Sequence, residues 1–416
     1  MFKAILYVLA VAVCLASCKK TSNNSALGSQ IVLQVPKVSG NLVTLDWSKL
    51  NNDSLQYYML IRVTDTTNQL SATYFAVDKN TTQYVDTLPM APYVQYYVVA
   101  YLSSATADVP TSNKETYVRT DIAFMTLSPM DAIFDRPNQQ LFIYSSTGQI
   151  AVYNLQSKKC TNQIATNATI GYCDIGPYNG VEELYVPRSD GWLFIYNAST
   201  LAQIDQINVG VPLIGVANSN GILYMCSSTN INVISYSRAT KAQIVEAPVN
   251  TIGRIKLIPN TNSQLVGICG STEIYRLLFN SGGGYVSFKW LSPVSSAISP
   301  SIVEMFPNGT EFITSSFGSI YDTSLTYVAT LPHGNVSYTS FDFDTTDQLI
   351  YAGCTTKTIL SYSMNTYILA NTINTQGYPA KVFYNNGAVL SVSTNYEPQP
   401  YAGSSATVYA FVEQLQ

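Results

Sequence analysis

Charge is scarce in this chain: Asp, Glu, Lys and Arg together make up 11% of its 416 residues, where about a quarter is usual for a soluble domain. The net charge of −4 has no basic block behind it beyond Lys19-Lys20. Phosphate binding needs clustered Lys and Arg, so nucleic acid is excluded as a partner. There is one histidine, His333. That excludes His-rich metal sites, and any serine triad would have to be built on this imidazole. Asp342 to Asp347 lacks the glycine and distal glutamate of a calcium loop and reads as a turn. Ser281 to Gly284 has no Lys-Ser/Thr behind it and is a hairpin turn, not a phosphate cradle. Glu182 and Glu183 are adjacent, but neighbours on a strand face opposite ways. No catalytic constellation, metal site or cofactor site follows from these residues.

In place of charge stand Thr, Ser, Asn and 31 tyrosines, residues suited to half-buried pleated surfaces. The first 17 residues carry a lysine, a short apolar core and small residues at the end, the pattern of a secretory signal. Leu15-Ala16-Ser17-Cys18 resembles the bacterial lipobox. The resemblance implies acylation of Cys18 and a membrane anchor without a transmembrane helix. Residues 18–29 then read as a flexible tether. Of the remaining cysteines, Cys226, Cys269 and Cys354 close the same apolar phrase and read as small buried hydrophobes. Cys160 and Cys173 are left open as a pair.

An aromatic closing an apolar run recurs at Tyr153, Tyr196, Tyr236, Phe279, Tyr321, Tyr362 and Tyr409. A turn of Asn, Gly, Pro or Asp precedes each, as at Asp135–Asn138, Asn218–Gly221 and Asn385–Gly387. A period of about 40 to 47 residues with several short strands per unit is the signature of a β-propeller, one blade per repeat. Asn197-Ala-Ser-Thr200 and Ser363-Met-Asn-Thr366 resemble the strand-closing turn of YVTN-type seven-bladed propellers. Residues 114–416 are therefore expected to form seven blades, with about 121–127 adding the outer strand of the last one and covering its edge.

Residues 30–113 have another rhythm: "LVTLDWSKL", "LQYYMLIRV" and "YVQYYVVAYL" alternate as strands. With a core Trp47 and a Tyr-x-Val-x-Ala strand near the end, this part resembles a fibronectin type III sandwich of the immunoglobulin class. The expected fold is thus all-β, an N-terminal sandwich followed by a closed seven-bladed propeller.

Propeller ligands commonly sit on the face where second-to-third-strand loops and blade connections gather. That face is expected to carry Arg188, Asp190, Trp192, Glu273, Lys357 and His333. It is also expected to carry the long insertion Thr394 to Ala406, whose Tyr396 and Tyr401 could stack on a sugar or anchor a protein. Asp174, Arg254 and Lys381, inside first strands, are expected to line the central channel. The resulting reading is a non-catalytic envelope lipoprotein binding a protein or glycan, with the sandwich spacing the propeller from the membrane. A polysaccharide or peptide lyase or hydrolase is one alternative, and an accessory of a nutrient-uptake complex the other. The whole design looks like Bacteroidetes lipoproteins of the outer membrane. Asp53-Ser-Leu55 and Asp86-Thr-Leu88 match that group's short O-glycosylation motif. No acidic run follows Cys18, which points to the periplasmic side.

Overall fold

The computed structural model describes residues 30–64, 72–103, 109–229, 232–250, 252–270, 272–292, 298–397 and 408–415. Cys18, the tether and Tyr401 lie outside them. The described residues are all-β, with no helix among them. They form two compact units. One runs up to Val63 and continues with Ala72–Leu88 and Gln95–Tyr117; the other is chiefly Val118 onward.

The first unit has seven strands: β1 (Lys37–Ser39), β2 (Leu42–Asp46), β3 (Leu55–Val63), β4 (Ala72–Asp78), β5 (Gln83–Thr87), β6 (Tyr93–Leu102) and β7 (Glu115–Val118). They form two sheets, ordered β1-β2-β5 and β4-β3-β6-β7. Strand β7 extends this unit past the 113/114 boundary read from the sequence. Alternation explains the packing: Val43 and Leu45 of one sheet and Tyr58, Leu60, Tyr96, Val98 and Ala100 of the other are fully buried. Trp47 meets Tyr58 edge to face at 5.9 Å between ring centres. Buried Asp86 of β5 ties the two sheets, accepting from Arg62 at 2.9 Å and from the Tyr96 hydroxyl at 3.0 Å.

The second unit is a succession of six four-stranded antiparallel sheets and one three-stranded sheet, each sheet with its strands adjacent in sequence order. This is a β-propeller-like repeat, and the reason lies in the second strands. In Gln140–Tyr144, Leu141 and Ile143 pack toward the seventh sheet, whereas Phe142 and Tyr144 pack toward the second. Both faces are covered, so the strand reads as an unbroken apolar run. Seven such clusters lie between neighbouring sheets, the last joining the seventh to the first through Phe383, Leu390 and Val392 against Ala132, Leu141 and Ile143. Each fully buried Leu, Ile or Phe is worth about 1.5–3 kcal/mol.

The recurring aromatic marks a fixed place in six sheets. Pairing of the third with the fourth strand slips register just before Tyr153, Tyr196, Tyr236, Phe279, Tyr321 and Tyr362. The following turn explains the Asn or Ser behind it. Asn197 Oδ1 accepts the Ser199 and Thr200 amides at 2.9 and 3.1 Å, and Leu201 closes the turn at φ 54°. Tyr409 is not the seventh member. It precedes the third strand Ala410–Leu415, in which Leu415 faces Val389 as Tyr362 faces Ile350. The insertion after Thr394 displaces the count. On the other side, Met125 and Ala410 exchange two backbone hydrogen bonds of 2.8 Å, as a single bridge and not a strand.

Cys160 and Cys173 do not pair; both are free thiols. Cys160 lies on an outer fourth strand, its sulfur turned to the Asn162 carbonyl, and Cys173 lies beside an inner first strand. Cys269 and Cys354 each end a second strand, whereas Cys226 stands one residue before the end of its own and packs toward the other neighbouring sheet. Burial pushes the Cys226 thiol up to about 12 and that of Cys354 up to about 11, so neither is a nucleophile near neutral pH.

Candidate functional site

The first strand of each sheet has one edge with no ladder partner. In the second unit these strands are Asp131–Asp135, Asp174–Tyr178, Leu213–Ser219, Arg254–Leu257, Val303–Met305, Tyr338–Asp344 and Tyr378–Asn385. Each touches its successor, and the last touches the first. Between them lies a cavity of about 400 Å³, to which all seven strands contribute.

Eight charged side chains line it, four of each sign. Asp131 is the hub. Arg254, from the fourth sheet, pairs with Asp131 Oδ2, and Lys381, from the seventh, stands 3.1 Å from Oδ1. Lys381 also reaches Glu304 at 3.5 Å, and Lys256 lies 3.2 Å from both Glu304 oxygens. The Arg254 guanidinium sits 4.2 Å over the Tyr172 ring. Burial opposes ionisation of Asp131, but Arg254, Lys381 and Lys256 together outweigh it and hold the carboxyl well below its ordinary range. Glu304 is likewise lowered: burial opposes its charge, and Lys256 and Lys381 prevail. For Lys256 burial wins over Glu304, and its pKa falls.

Asp174 and Asp342 are different. Each stitches its strand to the next sheet, accepting the Asn218 amide at 2.7 Å and the Tyr384 amide at 2.6 Å respectively. These bonds satisfy donors on the unpaired strand edges. Burial raises both carboxyls, despite the backbone donors and, for Asp342, the Arg136 guanidinium at 2.9 Å. No ion pair to Asp174 is present among the described residues. Asn218 Oδ1 is closed off from solvent without a hydrogen-bond partner there. Arg136 stacks 4.8 Å over Phe134, whose ring lies 5.7 Å from that of Phe383.

The lining runs from Asp131 and Arg254, at the starts of their strands, to Phe134, Asn218, Leu257 and Phe383 near the ends of theirs, and finishes at Arg136 in a first-to-second-strand turn. Arg254 and Asp131 are almost fully buried.

Of the sequence candidates, Asp174, Arg254 and Lys381 all line this cavity. Asp131, Lys256 and Glu304 went unread, and Arg136, Asn218 and Asp342 were read only as turn residues, although Asn218 and Asp342 lie within first strands. Their signal was a lone charge or amide in or beside a short first strand, as in "RIKL" or "VEM". The loop-face candidates are elsewhere, spread over several sheets, and most are engaged locally. Arg188 pairs with Asp190, lies 4.0 Å over Phe194 and donates to the Thr166 carbonyl at 3.0 Å. Trp192 is half-buried at the start of its strand. Glu273 accepts from Asn250 and the Tyr275 hydroxyl, both at 2.7 Å. Lys357 stands over Tyr378 at 5.1 Å, and His333 rests 5.2 Å from Phe317. Tyr396 is exposed. The Asp342–Asp347 stretch divides: Asp344 caps the turn through the Thr346 and Asp347 amides, and Asp342 turns to the cavity. Glu183, set aside with Glu182, is buried in a two-pronged pair with Arg238 at 2.8 and 2.9 Å.

No protein-family profile matches the chain, and no curated protein matches it. Among solved structures 1427 chains match, so the fold is widespread and by itself says little of function. One of them, "Structure of U3-55K", aligns with a TM-score of 0.56 and 11% identity, over 69% of this chain and 96% of that one. At that identity the likeness is one of fold alone.

Proposed function

We propose that the chain is a non-catalytic, lipid-anchored protein of the bacterial cell envelope in which a seven-bladed β-propeller takes a ligand in its axial cavity. The seven sheets are the blades, and Met125 completes the last by pairing with Ala410. Contact between the first and last inner strands supports a closed ring. The first unit, with its three- and four-stranded sheets, is a fibronectin III-like sandwich standing between anchor and propeller in chain order. The partner is a protein or glycan, part of which enters the cavity.

The observation that carries this reading is the axial cavity itself. All seven inner strands supply its lining, and charge otherwise rare in this chain is concentrated there. Concave sites with a few convergent polar groups are where ligands bind. A binding role is favoured over turnover because the lining charges are tied to one another or to backbone amides. The mouth is expected on the face of the first-to-second-strand turns, opposite the loop face chosen from sequence.

Ligands are sought by thermal shift and calorimetry with a panel of peptides, oligosaccharides and small polar solutes. Asn218→Trp, which fills the mouth, is expected to abolish any binding found, whereas deletion of residues 398–406 is expected to leave it intact. The reverse pattern would return the site to the loop face. Fatty-acid labelling lost in Cys18→Ala checks the anchor.

A further inference from the structure

Around the cavity the charges do not cancel evenly. Arg254, Lys256 and Lys381 are three cations against two carboxylates, Asp131 and Glu304, with which they pair. Lys256 is the most exposed of these cations. Elsewhere on the wall Asp342 pairs with Arg136, whereas Asp174 has no ion pair among the described residues and feels Lys256 and Arg254 only through space. Beside Asp174 the buried Asn218 Oδ1 is an acceptor with no donor. A buried acceptor left unmade is costly, so this wall is short of a donor. The rim near Arg136 is apolar, with Phe134, Leu257 and Phe383.

Resting on the axial-site reading above, we infer that the cavity binds a zwitterion of dipeptide size, a short free peptide with both ends charged. Its ammonium group pairs with Asp174, beside Asn218, and its carboxylate meets Lys256 on the cationic wall. An apolar side chain is left against Phe134 and Phe383 at the rim. Charge-assisted hydrogen bonds in a narrow site carry both orientation and strength. A neutral sugar would supply donors for Asn218 but leave the surplus cation without an anion. An inorganic anion would do the opposite. The burial-raised carboxyl of Asp174 is the group that a bound ammonium would return to its charged form.

The test uses the protein from residue 30 onward and isothermal titration calorimetry with L-Ala-L-Phe, its N-acetyl form, its C-terminal amide, maltose and inorganic phosphate. The free dipeptide is expected to bind, and blocking either end to weaken it about tenfold or more. Asp174→Asn is expected to weaken the free dipeptide and leave the residual affinity of the N-acetyl form unchanged. Lys256→Gln is expected to do the same for the free dipeptide and the amide. Melting curves of both variants establish that they are folded. Equal affinity for the free and blocked forms overturns the zwitterion. Maltose or phosphate binding that is lost in Asn218→Trp, with the dipeptide silent, also overturns it but leaves the axial site standing. If no probe binds, the zwitterion fails. If, in addition, a ligand from the wider panel binds Asn218→Trp as well as the parent protein, the axial site fails with it.

Discussion

Arg254 and Asp131 form a buried ion pair across 123 positions of sequence, joining the inner strand of the fourth sheet to that of the first. Lys381, from the seventh sheet, shares the same carboxylate at 3.1 Å. One carboxylate thus ties three sheets together. Breaking a buried pair by removing one partner commonly costs about 3–5 kcal/mol, because the other charge is left without compensation. Asp131→Asn is therefore expected to lower the unfolding free energy obtained from urea denaturation by about that much. Adding Arg254→Met should recover part of the loss. Full additivity of the two substitutions would mean that the charges are not coupled.

The pH dependence has a defined sign. Asp131 and Glu304 are held below their ordinary range in the folded chain, so the unfolded chain binds their protons more readily. Their contribution is fully present above the unfolded carboxylate value of about 4 and is lost as pH falls through the folded values. Denaturation midpoints between about pH 3 and 7 are expected to fall steeply only at the acid end. In Asp131→Asn that slope should be shallower.

Asp174 is expected to show a conflict between stability and binding. Its carboxyl is raised by burial, so at neutral pH its charge weighs against folding. Asn at this position keeps an acceptor for the Asn218 amide and removes the charge. Asp174→Asn should melt a few degrees higher at pH 7, by about 1 kcal/mol or less, while losing ligand. A lower melting temperature would mean that the carboxylate is structural.

Between the second and third sheets Arg238 holds Glu183 with two hydrogen bonds and also reaches Asp205 at 2.8 Å. Glu183 is almost fully buried. Arg238→Met should destabilise the second unit by about 3–5 kcal/mol, whereas Lys241→Met, removing an exposed partner of Asp205, should cost about 1 kcal/mol or less. Chemical denaturation of the two variants gives the comparison.

Closure of the ring is tested at Met125. Proline there removes the amide that donates to Ala410 at 2.8 Å. Met125→Pro is expected to lower the melting temperature and to promote self-association through the uncovered edge of Ala410–Leu415. An unchanged melting temperature and a monomeric profile in size-exclusion chromatography would count against closure by this segment.

Repetition made the architecture legible. Six of the seven aromatics fall where the third strand slips register, because the same turn chemistry needs the same residues at the same spacing. The seventh, Tyr409, was misplaced because an insertion cannot be told from strand by counting alone. Charge inside an apolar strand singled out Asp174, Arg254 and Lys381, all of which line the cavity, since a sheet-to-sheet core does not accept an unpaired charge. What the chain's order alone could not reveal is who pairs with whom. Asp131 and Arg254, or Arg136 and Asp342 206 positions apart, meet only because first strands of distant repeats line one cavity. Local residue types determine strands, turns and which faces are greasy, through short-range sterics and burial. The electrostatics of the cavity belong to the tertiary structure, because Coulomb attraction depends on distance in space and not along the chain.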